Sequence, residues 1–216
     1  MEGVKFTLNP SCNMMKTTHS HAKKNAISWR QPAAPSLETA RLRLRPWRRE
    51  DLPFFARMNA DPRVMAHYPA LLDARQSLRQ ARAFALLLAR RGWGVWAVER
   101  RADGRFLGFC GLHERRAGTL PFAPCVELTW RLDCEHWGRG YGYEAARAVA
   151  QFARVRLKLP QLVAFTACSN ARSRALLTRL GMEHAGDYAH PALPDGHPLR
   201  PHCLYRMATD ERSSRV

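Results

Sequence analysis

Outside its first segment the chain almost lacks lysine: Lys5, Lys16, Lys23 and Lys24 stand near the start, and only Lys158 lies beyond them. No Gly-Lys dipeptide occurs anywhere. That excludes a nucleoside-triphosphate P-loop, which needs Gly-Lys-Ser/Thr around the phosphates. Cysteine is sparse and unpatterned, at positions 12, 110, 125, 134, 168 and 203, with no Cys-x-x-Cys pair. The scatter excludes a disulfide framework or zinc ribbon and reads as free thiols of a cytoplasmic protein. Long apolar runs are missing too. Residues 83–89 form the longest near the middle, against the ~20 that a membrane helix requires. No apolar core follows the first charges, so neither a secretory signal nor a membrane span is expected.

Acid is also scarce: 18 Asp and Glu face 35 Lys and Arg, for a net charge of +17. The first 36 residues carry +4 of this and the body +13. Such charge favours association with nucleic acid, ribosomes or acidic acceptors. Yet the arginines are dispersed and no recognised nucleic-acid motif is present. A basic RNA- or ribosome-binding protein is therefore the alternative reading, which a steep salt dependence would support.

What is present fits one domain. At 216 residues with 46% hydrophobic side chains, the chain can bury a sizeable core. Residues 1–36 show no helical or strand period and close on Pro32 and Pro35, so they read as a disordered extension. Met14 or Met15 is a candidate alternative initiator there, and a metal role for Cys12, His19 and His21 is the weaker reading of that stretch. Residues 37–208 form the domain, and 209–216 a short tail.

Within the domain, elements alternate. Leu42-Arg-Leu-Arg predicts a strand, Asp51 to Met58 a helix, and Asp73 a cap for a helix through Arg90. Trp93 to Glu99 and Arg105 to Leu112 predict a hairpin across Asp103-Gly104. Cys125 to Leu132 reads as a strand, Tyr143 to Leu157 as a helix, and Leu162 to Ala167 as a buried strand. Asn170 opens a helix that stops at Gly181, and Cys203 to Met207 reads as a last strand.

The most informative stretch runs from Val126 to Ala146: a short strand, the loop Trp137-Gly-Arg-Gly-Tyr-Gly142, then an alanine-rich helix. Three glycines let the backbone turn and leave its N–H groups uncovered. Those groups precede a helix N-terminus, which favours an anion such as a pyrophosphate. A dinucleotide fingerprint is formally met by Gly140-x-Gly142-x-x-Ala145. It should follow directly on a strand and be followed ~20 residues later by an acid. The strand ends near Leu132, and after Glu144 the next acid is Glu183. A pyrophosphate loop for acetyl-coenzyme A fits the context better.

Strand-Leu132-x4-Trp137-Gly-Arg-Gly-Tyr-Gly142-helix resembles motif A of the GNAT acetyltransferase superfamily, with Gly140 and Gly142 at its small positions. Trp137, in place of the usual Gln/Arg, is similar to the branch of ribosomal-protein-alanine N-acetyltransferases. Asn170-Ala-Arg-Ser173 through Leu180-Gly181-Met182 resembles the superfamily's Asn-x-x-Ser…Leu-Gly-Phe helix, and Leu37 to Leu52 its opening strand and helix. The resemblance spans roughly Leu37 to Met207. It implies an α/β GNAT fold: a mixed, mostly antiparallel sheet flanked by helices and splayed beside the motif A strand. It also implies acetyl transfer from acetyl-CoA to a primary amine, either a protein N-terminus (a ribosomal protein among them) or a small molecule. Leu132, Trp137, Gly138, Arg139, Gly140, Tyr141, Gly142, Asn170 and Ser173 would hold acetyl-CoA, with Arg139 and Arg172 near its phosphates. No metal is called for.

An amine must lose a proton to attack a thioester, and a nearby carboxylate can take it. Glu127 is the candidate base, because alternation puts Glu127, Thr129 and Arg131 on one strand face. A salt-bridged strand residue is the plainer reading. Glu144 is the rival, though an acid in a first turn commonly serves the helix dipole. By resemblance, a strand N–H near Leu132 would bind the oxyanion. Many members carry a tyrosine seven residues after the helix asparagine; here that position is Leu177, and Ser173 is the candidate proton donor to the thiolate. Ser173 bonding only backbone or pantetheine is an equal reading. Trp93, Trp130, Tyr68 and Phe122 are candidate acceptor-pocket aromatics. The loop from His190 through His197 to His202 reads first as a turn-forming loop, then as a pocket wall, and last as a metal site.

Overall fold

The computed structural model describes residues 5–7 and 35–209. The rest of the 1–36 extension, including Cys12, His19, His21 and the two candidate initiators, lies outside the described residues, as does the tail beyond Thr209. Among the described residues the strands are β1 (Lys5–Thr7), β2 (Ser36–Glu38), β3 (Leu42–Arg45), β4 (Val95–Arg100), β5 (Phe106–Arg115), β6 (Cys125–Leu132), β7 (Gln161–Ala167), β8 (Glu183–Ala189) and β9 (Pro201–Ala208). The helices are α1 (Asp51–Ala60), α2 (Ala74–Arg91), α3 (Tyr141–Val155) and α4 (Ala171–Arg179). All nine strands form one sheet in the order β1-β2-β3-β4-β5-β6-β7-β9-β8. Among the described residues only β6 and β7 pair in parallel. This is the mixed, mostly antiparallel sheet that the resemblance implies. One of its strands, Lys5–Thr7, falls within the stretch read as an extension, and it pairs with β2, whose first residue, Ser36, closes that stretch.

The centre of the sheet is covered on both faces, which explains why Val95-Trp-Ala-Val is apolar throughout rather than alternating. Val95 and Ala97 pack with Trp47, Phe55 of α1 and Phe84 of α2. Trp96 and Val98 point the other way, toward Ala145, Val149 and Phe152 of α3. Each fully buried apolar side chain of this kind contributes roughly 1.5–3 kcal/mol. Helix α2 starts at a capping box in which the Asp73 side chain accepts from Gln76 N–H and the Gln76 side chain accepts from Asp73 N–H.

Helix α3 and strand β8 also depart from the sequence reading. Helix α3 begins at Tyr141, not Tyr143, with Gly140 as its N-cap. Gly142 is therefore not a turn residue. It is helical, and a Cβ there would lie 3.0 Å from Leu176 Cδ1, so glycine lets α3 and α4 approach. Strand β8 has no counterpart in the sequence reading. Its residues are exposed but for a half-buried Tyr188, so an edge strand held by backbone pairing to β9 carries no hydrophobic alternation.

The splay beside β6 positions the site. Its single register partner on β7 joins Glu127 to Val163, and beyond that point the two strands diverge. On its other edge β6 stays paired with β5 along its whole length. Gly108 makes this possible: at φ +138°, its missing Cβ would come within 2.2 Å of the Arg131 carbonyl. Asp133 N–H donates to the Leu107 carbonyl on that side. Main-chain groups of an antiparallel strand alternate between its edges, so the amides of Leu132 and Trp130 face the gap toward β7.

Candidate active site

Two cavities open from this gap. The larger, of about 1080 Å³, runs from the splay along the loop and the start of α3 to α4. Leu132, Trp137, Gly138, Gly140, Tyr141, Gly142, Asn170 and Ser173, eight of the nine residues read as cofactor-binding, line it. Arg139 is not among its walls; instead its carbonyl accepts from Arg41 Nη1 at 3.0 Å. Arg172 does line the cavity and stacks its guanidinium 4.6 Å over Trp137, whose indole N–H donates to the Leu132 carbonyl at 2.9 Å. Arg63 and Arg179 are further cations of this wall. A channel with open loop amides at one end and arginines along its side suits a long, polyanionic ligand. His136 also lines it, buried and with neither ring nitrogen hydrogen-bonded.

The loop is held by a contact that spans a hundred residues of sequence. Glu144 accepts from the Thr39 hydroxyl (2.6 Å), the Arg41 backbone N–H (2.9 Å) and Arg41 Nε (2.7 Å). Burial alone would raise this carboxyl, but those hydrogen bonds and the Arg41 charge outweigh it and hold Glu144 below the ordinary carboxylate range. So engaged, Glu144 anchors the β2–β3 turn to the loop rather than facing the acceptor side. Gly140 needs its glycine for conformation, at φ +80°.

The second cavity, about 540 Å³, lies on the α2 side of β6 and β7. Glu127, Thr129 and Arg131, which alternation puts on one face of β6, line it together with Leu128 and Trp130. Of the four candidate aromatics, Tyr68 and Trp130 reach it. Trp93 packs against the main core and Phe122 stacks on Phe165 and Tyr188, so neither is a wall. Phe84, Phe109 and Phe165 take those places. The proline-rich loop is a wall as well as a turn, through His190, Leu193, Leu199 and His202. The group of metal-ligating atoms that does cluster among the described residues lies elsewhere, at Cys168, Asp187 and Cys203.

Glu127 is buried and accepts from Arg115 Nε at 2.6 Å. Burial pushes its carboxyl up, opposed by the Arg115 charge and hydrogen bond. Its cross-strand neighbour is His113, whose imidazole burial, then the charges of Arg115 and Arg91, lowers to about 4. The two cavities share six residues: His67, Tyr68, Trp130, Arg131, Asn170 and Ser173. At this junction Asn170 caps α4 by accepting from Ser173 N–H (3.2 Å) and donates to the Thr166 hydroxyl (3.0 Å). Leu177 stands in the second cavity with no proton to give. The contacts of Arg41, His113 and Arg131 are ones that sequence motifs do not mark, because their partners are distant in the chain.

Comparison with known proteins agrees with this geometry. Residues 41–183 match the family described as Acetyltransferase (GNAT) domain. The chain is 30% identical over 158 residues to the Bacillus subtilis (strain 168) protein named Uncharacterized protein YkkB, covering 71% of this chain and 88% of that one. An acetyltransferase from Agrobacterium tumefaciens str. C58 superposes with a TM-score of 0.65 at 27% identity, over 86% of this chain and 99% of the other. The ribosomal-protein-S5-alanine acetyltransferase of Vibrio fischeri shares the fold with a TM-score of 0.64 at 16% identity, over 82% and 97%. With a glycine-loop cleft that meets a second cavity at the splay of β6 and β7, the chain belongs to the GNAT acetyltransferase family and is an acetyl-CoA-dependent N-acetyltransferase.

Proposed function

We propose that the protein moves an acetyl group from acetyl-CoA to a primary amine by direct attack, with Glu127 as general base. The meeting of the two cavities at Trp130, Asn170 and Ser173 carries this reading. The larger cavity takes acetyl-CoA, its pyrophosphate on the amides of Gly138 to Gly142 and its outer phosphates near Arg172 and Arg179. The thioester then lies at the junction and the amine arrives from the smaller cavity. The Leu132 N–H, turned toward the gap, receives the developing oxyanion.

Glu127 stands three residues from Trp130 along the strand, roughly 10 Å at the usual rise. The proton therefore passes from amine to carboxylate through water, and burial improves the base by raising its proton affinity. Ser173, at the same junction, can return a proton to the departing thiolate. The acceptor is a small-molecule amine or a protein N-terminus; likeness in fold to ribosomal-protein acetyltransferases supports the second. Five free cysteines among the described residues fit a reducing, cytoplasmic setting.

The test is a panel of peptide and small-molecule amines, followed by release of free CoA and by mass spectrometry of the acceptor. Acetylated amine with stoichiometric CoA release is the expected result. No amine-dependent CoA release, together with RNA retained through purification, would favour the nucleic-acid alternative.

A further inference from the structure

Arg131 is a buried cation without a counter-ion. It is 7% exposed, and no carboxylate pairs with it among the described residues. Its Nη1 donates to Asn59 Oδ1 at 2.7 Å and, at the limit of a hydrogen bond, to Gln80 Oε1 at 3.5 Å. Its Nε is buried with no partner at all. The guanidinium lies 3.9 Å over the Tyr68 ring and 5.3 Å from that of Phe109. Ring faces and amide oxygens solvate a cation in part, but they do not neutralise it. Arg45 shows what this fold does with a structural buried arginine. At 4% exposure it is gripped by Asp51 (2.8 Å, twice) and Glu99 (2.5 Å).

The position of the unpaired charge matters as much as its burial. Arg131 shares one face of β6 with Glu127 and lines both cavities where they meet. Arg115 and Glu127, the other charged pair of the acceptor wall, compensate each other at 2.6 Å. The histidines of that wall, His67, His113, His190 and His202, are all held toward their neutral forms by burial first. The acceptor cavity thus presents one uncompensated positive charge, beside the place where the amine must sit.

We propose that Arg131 binds a carboxylate carried by the acceptor, so that the substrate is an amino acid or peptide with an anionic group close to its amine. This rests on the acetyltransferase reading above and narrows it. A planar guanidinium is suited to grip a carboxylate through two parallel bonds. Purely cationic acceptors such as polyamines are disfavoured by the same charge. The carboxylate could belong to a free α-amino acid or to an acidic side chain near a peptide N-terminus.

The experiment compares matched pairs: free amino acids against their carboxamides, and short peptides with Asp or Glu against Asn or Gln at the second position. Each pair is measured as kcat/KM with acetyl-CoA and, independently of turnover, as calorimetric affinity for the CoA-saturated enzyme. In at least one of the two sets, wild type should prefer the carboxylate member by about 30-fold or more, the loss typical of a buried charge pair deprived of one partner. The set that shows the preference identifies the source. Arg131→Gln should erase it, chiefly through KM. Asn59→Asp is nearly isosteric and gives Nη1 an internal carboxylate. It should raise the melting temperature yet also weaken the preference, and it serves if Arg131→Gln does not fold. Equal treatment of both members of every pair by wild type, or equal losses for both in Arg131→Gln, would overturn the proposal. If no amine is acetylated, the enzymatic reading fails, and the calorimetric comparison still decides whether Arg131 binds carboxylates.

Discussion

Replacing Glu144 with Gln tests whether the acetyl-CoA loop is organised from outside itself. In the wild type this carboxylate, whose side chain is 16% exposed, receives Thr39 Oγ1, the Arg41 N–H and the Arg41 guanidinium. Arg41 in turn reaches the Arg139 carbonyl inside the loop and stacks 4.7 Å over Tyr141. Hydrogen bonds to a charged group are worth ~1.5–3 kcal/mol each. The Arg41 side chain is 50% exposed, so its share falls to the ~0–1 kcal/mol of a surface pair. Glutamine keeps one acceptor oxygen and part of the remainder. The net loss should be about 1–2 kcal/mol, or roughly 2–8 °C in Tm for a chain of this size. A loosened loop must also be ordered on binding, so the Kd for acetyl-CoA should rise about tenfold. Because the hydrogen bonds hold this carboxyl below its ordinary value of 4.5, its stabilisation is present above that pH and lost as pH falls through the lower folded value. Wild type and variant should therefore converge in acid. Melting curves and calorimetry with acetyl-CoA measure both effects. A fall in Tm with an unchanged Kd would refute the idea that this contact organises the cofactor loop.

Other outcomes follow from the same geometry. Acetyl-CoA at 100 times its Kd should stabilise the fold by about 2.7 kcal/mol, raising Tm by roughly 5–10 °C, while NAD and ATP do much less. A larger shift with NAD would contradict the loop assignment. His113 is held neutral by burial, then by Arg115 and Arg91, with a folded value of about 4 against 6.5. Its contribution to stability is complete above 6.5 and is lost as pH falls through about 4. Urea unfolding of His113→Gln across that window should show a shallower acid slope than wild type; an identical slope would mean His113 titrates normally.

Much of the site could be read from local sequence. Motif A works through backbone amides and glycines that are neighbours in the chain, and Asn170 and Ser173 sit on a single helix cap, so their placement needs no knowledge of the fold. Strand β6, Cys125–Leu132, is legible as a short apolar stretch ahead of the glycine loop. What could not be read depends on distant partners. Glu144 looks like a dipole residue until Thr39 and Arg41 are brought to it. Arg131 looks like one arginine among thirty until the structure leaves it buried and unpaired. Wall and core demand the same aromatic residue types, so sequence alone does not separate Tyr68 and Trp130, which line the cavity, from Trp93 and Phe122, which do not. Strand β8 leaves no period to detect, because every side chain but that of Tyr188 meets solvent.

The central claim is that Glu127 takes the amine proton. It is tested most directly by the pH dependence of kcat in wild type and Glu127→Gln on one verified acceptor. Burial raises this carboxyl above its ordinary 4.5, so the wild-type rate should climb with pH along an acidic limb lying above that value. Glu127→Gln should lack the limb and lose about 10²–10⁴-fold in kcat, with acetyl-CoA affinity little changed. A variant that keeps near-normal kcat, or the same limb, would contradict the account and leave Glu127 a structural partner of Arg115.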